Sequence, residues 1–195
     1  MKTALILFFA LSIFITSCAS TKVTGEWLAP NLPSKKFKKI MVMGVAKQPQ
    51  DRKLYEDEFI RQLKTKGVEA VSSYTLIKHE NMWDKETIIK TVESMEFDGV
   101  IITQVQSSKE KLSYLSHEYD MYDYYSYSFP IAPYYDRGNA FDNQLFGFVS
   151  KLYDAKTQAL VFSLASETYA HDDIQKRLDS YIKIVINKLV QNNLI

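Results

Sequence analysis

Three short apolar runs, Ile40 to Val45, Val68 to Tyr74 and Val100 to Val105, alternate with two stretches whose apolar residues recur at helical spacing. No other feature restricts the fold as strongly. A short continuous apolar run bounded by turn signals reads as a strand buried on both faces. After the first run, Pro49 and Asp51 open a helix with Leu54, Tyr55, Phe59 and Leu63 as its apolar stripe, and Gly67 ends it. After the second, Asp84 caps a helix with Ile88, Ile89, Val92 and Met95 on one face. Phe97-Asp98-Gly99 then turns into the third run. The order β-α-β-α-β implies parallel strands, because a helical crossover brings the chain back in the same direction.

The C-terminal part is built differently. Leu145 to Tyr153 and Leu160 to Thr168 are strand-like and are joined by Asp154-Ala155-Lys156-Thr157-Gln158, a connection of hairpin length and composition. These two strands should pair antiparallel. His171-Asp172-Asp173 begins a last, long helix, with Asp172 placed three residues before Gln175 as in a capping box. Its apolar face is Leu178, Tyr181, Ile182, Val185, Leu189 and Val190. The expected architecture is α/β: a mixed sheet of about five strands in two or three layers, with three helices.

Between the two halves, residues 107–140 carry neither period. They contain Tyr114, Tyr119, Tyr122, Tyr124, Tyr125, Tyr127, Tyr134 and Tyr135, eight of the thirteen tyrosines. A connection of this length without its own secondary structure is uncommon in a compact domain. Tyrosine joins a rigid apolar ring to a hydrogen-bonding hydroxyl, which suits glycans, peptides and protein surfaces. One reading is a loop that contacts an envelope partner or peptidoglycan. The other is a mobile or self-packed flap.

The N-terminus has the three parts of a targeting segment: Lys2, the apolar stretch Ala4 to Ile15, and the small residues Thr16-Ser17. The apolar stretch would extend about 18 Å as helix, short of a hydrocarbon core roughly 30 Å thick. Cys18, the only cysteine, follows directly, and Ile15-Thr16-Ser17-Cys18 resembles the lipobox of bacterial lipoproteins. The resemblance implies cleavage after residue 17 and acylation at Cys18, which anchors the chain in the membrane through lipid. Ala19 stands where an enterobacterial inner-membrane retention signal would have aspartate. The outer membrane is therefore the expected destination, with the body in the periplasm. Residues 1–17 read as the signal, 18–35 as a lipidated tether containing Pro30 and Pro33, and 36–195 as one domain carrying the insertion.

Without Lys2 the mature chain has 23 basic and 23 acidic residues, so no basic surplus points to nucleic acid. Acylation of Cys18 leaves no thiol for catalysis, disulfides or metal ligation. No cofactor or metal is expected: the chain lacks a glycine-rich phosphate loop and a Gly-x-Ser-x-Gly elbow, and His79, His117 and His171 are isolated. Glu56-Asp57-Glu58 and Asp172-Asp173 read as solvent-facing acids near helix starts. Tyr119-Asp120, Tyr122-Asp123 and Asp136 keep open an alternative, a periplasmic glycan hydrolase using carboxylates and tyrosines of the insertion. The preferred expectation is a non-enzymatic binding or structural module.

Cys18-Ala19-Ser20-Thr21-Lys22-Val23, Trp27 and Phe37-Lys38-Lys39-Ile40 resemble an uncharacterised group of bacterial envelope lipoproteins. So do Val68 to Tyr74, Asp98-Gly99-Val100 and Leu152 to Thr157. More loosely, the layout is similar to the amino-terminal domain of TolB. Related α/β domains occur in outer-membrane lipoproteins that activate peptidoglycan synthases or assemble secretion pores. The resemblance implies an envelope role and carries no catalytic residue.

Overall fold

The computed structural model describes residues 21–46, 48–78, 84–107, 121, 145–169 and 174–195. Its strands are β1 (Thr21–Leu28), β2 (Lys39–Val45), β3 (Glu69–Ser72), β4 (Gly99–Ser107), β5 (Leu145–Asp154) and β6 (Leu160–Tyr169). Its helices are α1 (Pro49–Lys64), α2 (Ser73–Leu76), α3 (Lys85–Ser94) and α4 (Ile174–Gln191). The six strands form one sheet in the order β1-β6-β5-β4-β2-β3. β3, β2 and β4 are mutually parallel, whereas β4, β5, β6 and β1 pair antiparallel in turn. The mixed α/β architecture expected from the alternating runs is present.

The apolar runs are continuous because both sheet faces are covered. Ile40, Val42, Ile101 and Leu152 point to one face, where they meet Phe59 and Leu63 of α1 and Tyr181, Ile182 and Val185 of α4. Met41, Met43, Val100 and Ile102 point to the other, against Ile88 and Val92 of α3. The alternation is the period of two that a strand imposes. Burying one such side chain contributes about 1.5–3 kcal/mol.

Local signals act as their chemistry requires. Asp84 accepts from the amides of Glu86 and Thr87 at the start of α3. Gly67 takes φ 75°, and Val68 N reaches Leu63 O at 3.3 Å, so the chain leaves α1 through a left-handed residue. The Asp154 carboxylate accepts from Lys156 N at 3.0 Å and Thr157 N at 2.7 Å, closing the β5–β6 turn.

Three expectations are corrected. Residues 21–28, read as part of a tether, are the edge strand β1, paired along its length with β6. The second run ends as a strand at Ser72, and Ser73–Leu76 form the short helix α2, which brings the described helices to four where three were expected. Val190 is 42% exposed; Ile186, at 1%, fills the core position instead. A straight α-helix advances 3.6 residues per turn, so a stripe extended to Val190 has drifted off the buried face.

Candidate functional site

The crossover from β2 to β3 carries α1 on one face, and the crossover from β3 to β4 carries α3 on the other. The carboxyl ends of β2 and β4 are therefore a topological switch point, where open α/β sheets commonly bind ligands. Here the protein's own side chains occupy the α1 side of that position. Arg52 is 1% exposed and Glu56 0%, and they pair at 3.0 Å one helical turn apart. Glu56 Oε1 also accepts from Gly44 N at 3.0 Å and Ser73 Oγ at 2.7 Å, while Oε2 accepts from Tyr74 N at 2.9 Å. Arg52 donates further to Ser73 Oγ at 2.7 Å and Ile77 O at 3.3 Å.

A carboxylate offers about four acceptor positions, and Glu56 receives four donors. Burial pushes its carboxyl above the ordinary value, while Arg52, the Gly44 and Tyr74 amides and Ser73 pull it down. Ser73 and Tyr74 turn toward this carboxylate at the end of β3, which explains why the strand gives way to α2. Gly44 permits the approach: a Cβ there would lie 2.9 Å from Tyr55 Cδ1. The cluster locks α1 to the ends of two strands.

The solvent-facing reading of Glu56-Asp57-Glu58 therefore holds for only one residue. Asp57 is exposed and accepts from Lys53 at 2.9 Å and Tyr74 Oη at 2.6 Å. Glu58 is 6% exposed and accepts from Gln62 at 2.7 Å and Gln175 at 3.1 Å. Its hydrogen bonds with Arg61 hold the Glu58 carboxyl below the usual range against the cost of burial. Asp179 joins Arg61 at 2.9 Å, so this network ties α1 to α4. The physical reason is position: both acids lie on sides of α1 that face other elements.

A chain of hydroxyls crosses the same sheet face. Tyr55 Oη donates to Thr103 Oγ1 at 2.5 Å, Thr103 Oγ1 lies 2.5 Å from Ser150 Oγ, and Ser150 Oγ bonds Tyr181 Oη. It joins α1, β4, β5 and α4 within the core. Desolvation raises both phenols, most strongly opposed by these same hydrogen bonds. Tyr181 also stacks on Phe148, ring centres 4.5 Å apart.

On the opposite face, Lys151 is 0% exposed in the middle of β5, opposite Ile102 of β4 and Ser163 of β6. Burial lowers its ammonium to about 8. Met121, the one described residue of the insertion beyond Ser107, is 1% exposed and joins Met41, Met43 and Val45 in the core of this face. At that point the insertion packs back on the body.

Cys18 and the eight tyrosines Tyr114, Tyr119, Tyr122, Tyr124, Tyr125, Tyr127, Tyr134 and Tyr135 lie outside the described residues. So do Asp120, Asp123, Asp136, Asp172, Asp173 and the three histidines. Among the described residues, no three His, Cys, Asp or Glu side chains come together as a metal site, and no helix is long and apolar enough to cross a membrane. Sequence reasoning missed Arg52 and Lys151. The i,i+4 spacing of Arg52 and Glu56 was the one available signal for the first; a lone lysine in an apolar strand was the signal for the second.

The fold defines an open mixed α/β domain whose switch point is filled on its α1 side by an ion pair. No family model and no curated protein matches the chain. Among solved structures, a methionine variant of the PelC dodecamer from Paraburkholderia phytofirmans is similar, with TM-score 0.51 and 13% identity over 86% of this chain and 98% of that one. Another PelC dodecamer from the same organism gives 0.51 and 13% over 87% and 96%. A DUF330 protein from Xanthomonas campestris gives 0.35 and 10% over 84% and 86%. The PelC likeness is one of fold.

Proposed function

We propose that this chain is a lipid-anchored protein of the bacterial envelope, held at Cys18 in the outer membrane, whose body is a non-catalytic binding module for another envelope protein or peptidoglycan. The observation that carries the non-catalytic part is the hydrogen bonding of Glu56. The carboxylate is 0% exposed and accepts from Gly44, Arg52 and Ser73 at Oε1 and from Tyr74 at Oε2, which supports a structural role for this acid at the switch point. The anchor rests on the lipobox-like run ending at Cys18. PelC is a dodecamer, which makes a second copy of this chain a partner to distinguish from others.

Crosslinking of the native lipoprotein in its membrane, read by mass spectrometry, tests the reading. A reproducible envelope partner or wall association is expected. Replacement of Tyr122, Tyr124, Tyr125 and Tyr127 by serine should reduce that contact if the insertion makes it. Finding no partner and no wall association, or release of soluble fragments from purified peptidoglycan, would overturn the binding-module reading; release would revive the hydrolase alternative.

A further inference from the structure

Six strand ends share one edge of the sheet. Thr21, the start of β1, stands opposite Thr168 near the end of β6. Tyr169 stands opposite Leu145, the start of β5, and Phe146 stands opposite Ser107, the end of β4. β2 and β3 run parallel to β4, so Val45 and Ser72 finish toward this same end. The opposite end holds Leu28, Lys39, Glu69, Gly99, Asp154 and Leu160.

Only Ala19 and Ser20 separate Cys18 from Thr21, a span of three residue steps. A fully extended chain covers at most ~3.3–3.6 Å per residue, so the start of β1 stays within about 11 Å of the anchoring residue. The leash cannot lengthen unless β1 leaves the sheet. Thr21, 6% exposed, bonds Thr168 through their hydroxyls at 2.9 Å. Farther along β1, Glu26 pairs with Lys188 of α4 at 2.7 Å, and Trp27 and Leu28 pack into the two cores. Peeling the strand would break all of these.

We infer that the domain stands on the phospholipid surface with this strand end down, at a fixed polarity, instead of floating on a long tether. The inference rests on the anchored reading proposed above. Lys22 stands opposite Glu167 in the ladder, so this pair adds no net charge at that end. Ile174, 44% exposed on the first turn of α4, follows Tyr169, the end of β6, by five residues. Ser107 and Leu145, the two roots of the tyrosine-rich insertion, open on the same side. The far end of the sheet, one ten-residue strand away, lies about 30 Å higher at ~3.3 Å per residue.

The test uses the full lipoprotein in phosphatidylethanolamine–phosphatidylglycerol vesicles doped with a nickel-chelating lipid. Acylation of Cys18 is first established by intact mass. Spin labels on exposed positions then report depth: Lys22→Cys and Lys176→Cys at the near end, Lys35→Cys and Lys156→Cys at the far end. Near-end labels should relax at least several-fold faster than far-end ones. Fifteen Gly/Ser residues inserted between Ala19 and Ser20 should erase that contrast with acylation intact. Equal relaxation at both ends of an acylated protein overturns the inference while sparing the anchor. A contrast that survives the insertion also overturns it. An unacylated Cys18 removes the anchor, and the inference with it.

Discussion

Glu56 and Arg52, one turn apart on α1, form a 3.0 Å ion pair closed to solvent, and the amide of Gly44 donates to the same carboxylate oxygen. One acid thereby joins α1 to the end of β2 and, through Ser73 and Tyr74, to the start of α2.

Removing one partner strands the other's buried charge. Arg52→Met or Glu56→Leu alone should destabilise the protein by about 3–5 kcal/mol, whereas the double variant should lose clearly less than the sum. Urea denaturation of the three variants reads this, and additive losses would show that the charges do not depend on each other.

The hydroxyl chain gives a second cycle. Tyr181→Phe takes a partner from Ser150, and Ser150→Ala takes one from both Thr103 and Tyr181, at a cost of about 1–3 kcal/mol for each buried hydroxyl so affected. Because Ser150 Oγ lies between Thr103 and Tyr181, the double variant should show coupling. Independent effects would mean that the contact contributes nothing beyond packing.

How much of this was readable depends on parity. The parallel strands and their helices were legible because each face repeats every second residue without interruption. β1 was not, because its register shifts between Val23 and Gly25. Val23 packs on one face and Trp27 on the other, although an undisturbed strand would put both on the same side. Glu56 was misread for a different reason. Acids near a helix start usually favour the dipole and solvent, but Glu56 lies beyond the first turn of α1, where the acid is Asp51, and nothing local announces that Gly44, twelve residues earlier, brings a strand end against it.

Lys151 should make stability depend on pH. Its ammonium titrates at about 8 in the folded protein, below the 10.5 of an ordinary lysine. The unfolded chain thus binds more protons between these values, and stability rises with pH through that window. Lys151→Met should flatten the rise from pH 8 to 10 in chemical denaturation. An unchanged slope would place the titrating group elsewhere.

The central claim is that Cys18 is an acylated anchor. Growing cells with a radiolabelled or clickable fatty acid and then fractionating them tests it most directly, with the native chain beside Cys18→Ser. The native protein should carry label and sediment with membranes. Cys18→Ser should fold, as judged by an unchanged circular dichroism spectrum, yet carry no label and leave the membrane fraction. A labelled Cys18→Ser variant, or an unlabelled native protein, would contradict the account.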